Sequence, residues 1–202
     1  MEMIQEHSGL AAYLAADEAI DHDHPFVRET ADALWTATGE ARAYAEVAFE
    51  FVRDTVVHSA DSGDTGDERV PWRASEVLST RNGICYAKSH ALAALLRARG
   101  IPAALCYQRL TEDDGSDPVV HGLVALRLPG ADRWSRVDPR GNKPGVDARF
   151  SLDREELAFP VRPELGECDY PALHAAPHPA ALKALQGSAD RRELWRNLPT
   201  AL

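Results

Sequence analysis

Two sets of helix breakers fix one element of this chain more tightly than anything else in it. Gly83 stands before Ile84, Gly100-Ile101-Pro102 follows Arg99, and the run I-C-Y-A-K-S-H-A-L-A-A-L-L-R-A-R between them is rich in alanine and leucine. Glycine just past a last turn, with proline soon after, is a usual helix stop, so a helix over 84–99 is predicted. At about 100° per residue, Leu92, Leu95, Leu96 and Arg99 fall near the azimuth of Cys85, which puts the thiol on the inward stripe of the first turn. A helix N-terminus carries free N–H groups and partial positive charge; it lowers a thiol's pKa and can hold an oxyanion. A buried cysteine is more often inert filling. Its partners must decide between the two.

Three strand-like runs follow, Ala103 to Leu110, Val119 to Leu128 and Trp134 to Asp138, separated by the turn-rich E-D-D-G-S-D and P-G-A-D; they read as an antiparallel meander. Strand alternation places His121, Leu123 and Ala125 on one face. If residues 129–132 form the loop, Leu128 pairs with Arg133, Asp138 falls opposite Leu123, and His121 and Asp138 become diagonal neighbours on a shared face. A thiolate nucleophile needs such a base, and a carboxylate bonded to the imidazole fixes its tautomer and stabilises imidazolium. A single bulge would turn Asp138 to the other face.

The rest of the chain sets bounds. With 202 residues and 45% hydrophobic content, one domain with a proper core is expected. It divides into a helical N-terminal part (1–58), a catalytic core (70–142) and a C-terminal extension (143–202). Helical patterns lie at Leu10, Tyr13 and Leu14, at Val27 to Leu34, and in the stripe Ala41, Tyr44, Ala45, Ala48, Phe51 and Val52. Ser59 to Glu68, S-A-D-S-G-D-T-G-D-E, is expected to be a flexible surface loop rather than an element, and a short helix is expected at Ala74 to Leu78. Beyond Arg140 the chain is rich in proline and glycine until helical patterns at Pro179 to Gln186 and Ala189 to Leu198. The net charge of −10 opposes affinity for nucleic acid or anionic membranes. An acidic N-terminus and the lack of any run near the ~18 apolar residues of a membrane span point to the cytoplasm. Cys85, Cys106 and Cys168 are odd in number and widely spaced, so free thiols are expected rather than a disulfide framework.

The arrangement G-I-C-Y-A-K-S-H-A-L-A-A-L-L-R-A-R-G-I-P-A, then V-H-G-L-V-A-L, then R-W-S-R-V-D-P-R-G-N, with A-S-E-V-L upstream, resembles the transglutaminase-like core of bacterial proteins from about Ala74 to Asn142. The resemblance implies a papain-like α+β fold, with a helix carrying the cysteine at its N-terminus packed on an antiparallel sheet. It also implies Cys85 as nucleophile, His121 as base and acid, and Asp138 as orienter. The expected activity is that of a cysteine-dependent amide or peptide hydrolase or acyl transferase, working through a thioester on a peptide, protein or small amide. No metal or organic cofactor is required by that chemistry. Many members carry an aromatic two residues after the histidine, as in H-x-W, where this chain has His121-Gly122-Leu123, which points to a different substrate groove.

Other residues have plainer readings. His90 lies about 140° around the helix from Cys85, a lateral or surface position. Lys88, at i+3, either depresses the thiol's pKa or sits at a lobe boundary. A zinc site from Cys85, Cys106 and His121 lacks a close ligand pair. His22 and His24 read as a solvated helix cap, Trp72 as a packing anchor, and Cys106 and Cys168 as structural. From a different class, the same fold serves as a non-catalytic binding or scaffold module; that reading predicts a missing triad member, and all three positions are filled. Phe150-Ser-Leu and Leu157-Ala-Phe-Pro suit either packing across the sheet or covering the groove.

Overall fold

The computed structural model describes residues 1–63 and 67–202. A short strand, β1 (Ile4–Gln5), and a 3-10 turn at Leu10–Leu14 lead into α1 (Pro25–Thr36) and α2 (Ala41–Thr55). Next come β2 (Val57–His58), a 3-10 turn at Ser59–Asp61, α3 (Ala74–Thr80), β3 (Asn82–Gly83) and α4 (Cys85–Ala98). The meander is β4 (Ala103–Leu110), β5 (Val119–Leu126) and β6 (Ser135–Val137). After it come a 3-10 turn at Pro163–Leu165, β7 (Cys168–Asp169), β8 (Ala172–Leu173), α5 (Pro179–Gln186) and α6 (Arg191–Asn197).

The central helix ends where its stop signals stand: Gly100 takes a φ of +71°, open to glycine at no steric cost. Every residue of α4 from Cys85 to Arg97 is buried, because α1, α2 and α3 pack around it on one side and β4 and β5 on the other. Leu92, Leu95 and Leu96 are fully buried, each contributing about 1.5–3 kcal/mol. The helix is tied laterally by the Tyr44 hydroxyl, which donates to Leu95 O at 2.7 Å. Such enclosure forces polar side chains inward. The Arg97 guanidinium donates to the carbonyls of Ala15, Ala103 and Ala175, and burial pulls its pKa down to about 10. His90, read from the sequence as a lateral or surface contact, is fully buried with Nδ1 at 2.8 Å from Trp72 O. The wheel gave its azimuth correctly, but the face it turns to is covered by the α3 side of the fold.

The main sheet has the order β6-β5-β4-β7 and is antiparallel throughout. Val124 pairs with Val137, Ala125 with Arg136 and Leu126 with Ser135, the register expected from a loop at 129–132. The second run stops at Leu126 rather than Leu128, since Leu128 closes a turn by accepting from Ala131 N–H at 3.0 Å. The third begins at Ser135, because Trp134 leaves the ladder to join a second apolar cluster with Tyr13, Ala104, Cys106, Leu123, Ala125 and Leu173 behind the sheet.

The segment after residue 142 is built into this frame. β7 pairs with β4 through Gln108–Asp169 and Arg109–Cys168, and β8 runs parallel to β1. These two-residue strands are too short to leave a periodic signal. Of the stretch expected to be a surface loop, Ser59–Asp61 is a 3-10 turn with Ser59 buried, and Arg191 Nη1 donates to Ser59 O at 3.0 Å. Residues 64–66 of that stretch lie outside the described residues. Among the described residues no helix is long and apolar enough to cross a membrane.

Candidate active site

Cys85 opens α4, and its N-cap, Ile84, is an extended residue whose side chain makes no capping bond. The first-turn N–H groups are therefore left to other partners. The parallel pair β2–β3 sets His58 beside Gly83, and the imidazole lies over the helix start with Nε2 at 3.1 Å from Cys85 N.

The thiol meets the sheet at its open edge. Tyr107 pairs with Gly122 but gives its carbonyl to Tyr170 N–H on the β7 side, so the Gly122 N–H points the opposite way, toward the β6 side. The β5–β6 ladder starts only at Val124. Beyond that start the Gly122 N–H donates to Cys85 Sγ at 3.5 Å. Two residues on, the Val120 N–H donates to Pro199 O at 2.8 Å. Gly122 is required at this crossing: a Cβ there would stand 2.7 Å from Tyr86 Cδ1 and 3.3 Å from Tyr86 Cα.

His121 precedes that glycine. Its Nε2 donates to Asp138 Oδ2 at 2.8 Å, which leaves Nδ1 outside that bond, and the Cys85 sulfur lies near enough to act on the ring's charge. Asp138 is fully buried and accepts twice more, from Arg140 N–H at 3.0 Å and Ala158 N–H at 3.2 Å. Burial alone would push the imidazole's pKa down. The Asp138 carboxylate and the Cys85 sulfur reverse that and carry it to about 10, so the ring is imidazolium at neutral pH. The Phe159 ring stands edge-on to His121, centroids 5.3 Å apart. Of the two short apolar runs weighed as packing or cover, Leu157-Ala-Phe-Pro thus lies against the histidine, whereas Phe150 packs on Phe49 at 5.8 Å.

Around these three lies a shell of charge. Arg140 bonds Asp61, which also accepts from Lys143 Nζ at 2.9 Å. Burial opposes ionisation of Asp61, but the two cations hold its carboxyl down at about 2. Lys88 is fully buried with its ammonium on the carbonyls of Arg53 and Val56; burial and the nearby Arg140 lower its pKa to about 7. His58 is driven well below the ordinary imidazole range by burial and by Arg140 and Lys88, so it is neutral.

Cys85, His121 and Asp138 are therefore brought together. Cys106 is kept apart in the second cluster, where burial pushes its thiol up to about 12. Cys168 is exposed on β7 rather than structural filling. Among the described residues no group of three His, Cys, Asp or Glu side chains is placed to hold a metal. Leu123, two residues after His121, is fully buried in the second cluster behind the sheet. Trp72 packs on the core with Arg73 over its ring at 4.5 Å. His24 caps α1. His58 went unread in the sequence: it lies 27 residues before Cys85, in V-V-H-S, with nothing in spacing or periodicity to mark it.

The sequence profile of the transglutaminase-like superfamily matches residues 28–139, more than half of the chain. This chain belongs to the transglutaminase-like superfamily. Members of the superfamily are in general cysteine-dependent enzymes, and the α+β, papain-like architecture is theirs. The matched span runs from α1 to the residue after Asp138. Similar solved structures include a cysteine protease candidate from Cytophaga hutchinsonii, with a TM-score of 0.48 and 16% identity, covering 66% of this chain and 43% of that one. Another is the periplasmic domain of TgpA from Pseudomonas aeruginosa, with a TM-score of 0.45 and 22% identity, covering 63% and 45%. The transglutaminase-like chain thus spans less than half the length of either. No curated protein sequence matches it.

Proposed function

We propose that this chain is a cysteine-dependent amide or peptide hydrolase in which Cys85 is the nucleophile, His121 the base and acid, and Asp138 the orienter. The observation that carries the reading is the cluster at the head of α4, where His121 is bonded to Asp138 at 2.8 Å and the N–H of the adjacent Gly122 meets the Cys85 sulfur at 3.5 Å. The Cys85 thiol gives its proton to His121. The thiolate attacks the carbonyl carbon of an amide, and the tetrahedral oxyanion collapses as the imidazolium protonates the departing amine. A thioester remains on Cys85. Water then attacks it, His121 takes the water proton, and the acid is released as the thiol is restored. An amine in place of water gives acyl transfer. The net charge of −10 favours neutral or basic peptides and amides as substrates.

A non-catalytic binding module is the second reading, favoured by one observation: Cys85 and His121 are each only 5% exposed. Cavities of about 140 and 350 Å³ lie elsewhere, beside Arg133 to Arg136 and beside Leu10 and Pro129. The test is the rate of iodoacetamide alkylation at each cysteine against pH, mapped by mass spectrometry, in wild type and His121→Ala. The enzyme reading expects Cys85 to react fastest at pH 6 and to lose that advantage without His121. If exposed Cys168 outpaces Cys85 at pH 6, the binding module takes its place.

A further inference from the structure

The imidazole of His58 meets two backbone N–H groups, that of Cys85 at Nε2 (3.1 Å) and that of Ala60 at Nδ1 (3.2 Å). These are the ring's hydrogen-bond contacts among the described residues. A neutral imidazole has one lone pair and one N–H, so it accepts at one nitrogen only. One of the two contacts is a hydrogen bond. In the other, two donors face each other.

The local contact has the stronger claim to the lone pair. His58 is the N-cap of the Ser59–Asp61 turn, and its Nδ1 receives the N–H two residues on. The chain uses the same device twice more: His24 Nδ1 accepts from Phe26 N–H at 3.2 Å and His178 Nδ1 from Ala180 N–H at 3.3 Å. With Nδ1 so engaged, the proton sits on Nε2. The His58 Nε2–H and the Cys85 N–H then converge at the start of a 14-residue helix, with no acceptor between them among the described residues. The ring is only 8% exposed, so water has little access. An oxygen about 2.9 Å from each nitrogen would satisfy both.

We propose that His58 Nε2–H and the Cys85 backbone N–H form the oxyanion hole of this site, His58 being its side-chain donor. The proposal rests on the thioester mechanism above. The hole is built before substrate arrives. Asp61, held by Arg140 and Lys143, and the β2–β3 pair fix the turn that carries the ring. Neutrality matters as well, since it lets Nδ1 stay an acceptor. Burial supplies it first, with Arg140 and Lys88 from neighbouring elements, opposed by Asp61 and aided by the charge on His121. When the thiolate attacks, the carbonyl π pair moves onto oxygen, and that oxygen takes up the two waiting donors.

Two reactions of Cys85 in the full chain separate this from a structural role. Alkylation by iodoacetamide displaces iodide and forms no oxyanion; acylation by 4-nitrophenyl acetate forms one. In His58→Phe the alkylation rate should stay within about twofold, while the acylation burst falls by about 10²–10³-fold, the loss expected for one oxyanion donor. His58→Gln, whose amide can donate, should recover at least tenfold of that. In ¹⁵N-histidine-labelled wild type, long-range ¹H–¹⁵N correlation should place the His58 proton on Nε2. A proton on Nδ1, or equal losses in the two reactions, overturns the proposal, and so does fast wild-type alkylation without a burst. Slow wild-type alkylation instead overturns the mechanism itself, and the tautomer then still decides whether the two donors face each other. If His58→Phe does not fold, the Gln variant and the tautomer carry the test.

Discussion

Replacing Asp138 by asparagine removes one charge from the site and leaves the shape nearly unchanged. Two influences hold His121 as imidazolium against its burial, the Asp138 carboxylate and the Cys85 sulfur. Without the carboxylate, burial prevails and the ring is neutral at pH 6. An ordinary free thiol, with a pKa of about 8.5, is about one thiolate in 300 molecules at pH 6, and that factor is the ceiling on what a paired imidazolium can add. Alkylation of Cys85 by iodoacetamide at pH 6 should therefore fall by about 100- to 300-fold in Asp138→Asn. The gap should close toward pH 9, where an ordinary thiol ionises unaided. The variant should also lose about 1–3 kcal/mol, because Asp138 receives three buried N–H groups and the amide, turning an NH₂ toward one of them, leaves it unmatched. Urea unfolding gives that second quantity independently. A drop of less than about threefold at pH 6, in a variant that still unfolds cooperatively, would refute the assignment of His121's charge to Asp138.

Gly122→Ala should cost about 1–3 kcal/mol, read as a lower urea midpoint, because the new methyl meets the Tyr86 ring and backbone and one element must move; an unchanged midpoint contradicts the crossing described. Lys88 titrates near 7 in the folded chain and near the ordinary lysine value of 10.5 when unfolded, so the unfolded state holds more protons between these values and stability from this group rises with pH. The stability of wild type minus that of Lys88→Met should accordingly grow from pH 7 to pH 10. A constant difference would show that the ammonium is not desolvated.

What was legible in the sequence was whatever repeats or breaks locally. Gly83 and Gly100-Ile-Pro102 bounded α4 to within a residue at each end, and the loop at 129–132 set the β5–β6 register that carries Asp138 toward His121. Alternation alone reached that far. It did not reach His58, because its place over Cys85 depends on a two-residue parallel pair between segments separated by the stretch 59–81. Nor did the helical wheel show that Lys88, His90 and Arg97 are buried, since it gives directions around an axis and not what packs on each side. The pairing of β7 with β4 was hidden for a similar reason: two residues make no period.

Along its open edge β5 offers the N–H groups of Val120, Gly122 and Val124 in turn. Pro199 takes the first, the thiol the second, and the third lies at the first pair of the ladder with β6. Were β6 to run on past Val137 to Pro139, which this register sets opposite Gly122, a carbonyl would occupy the place of the sulfur and the sheet would be more complete. The brevity of β6 is thus a vacancy kept open: cooperative folding and chemical reactivity compete for a single peptide N–H, and in this chain the sheet yields it.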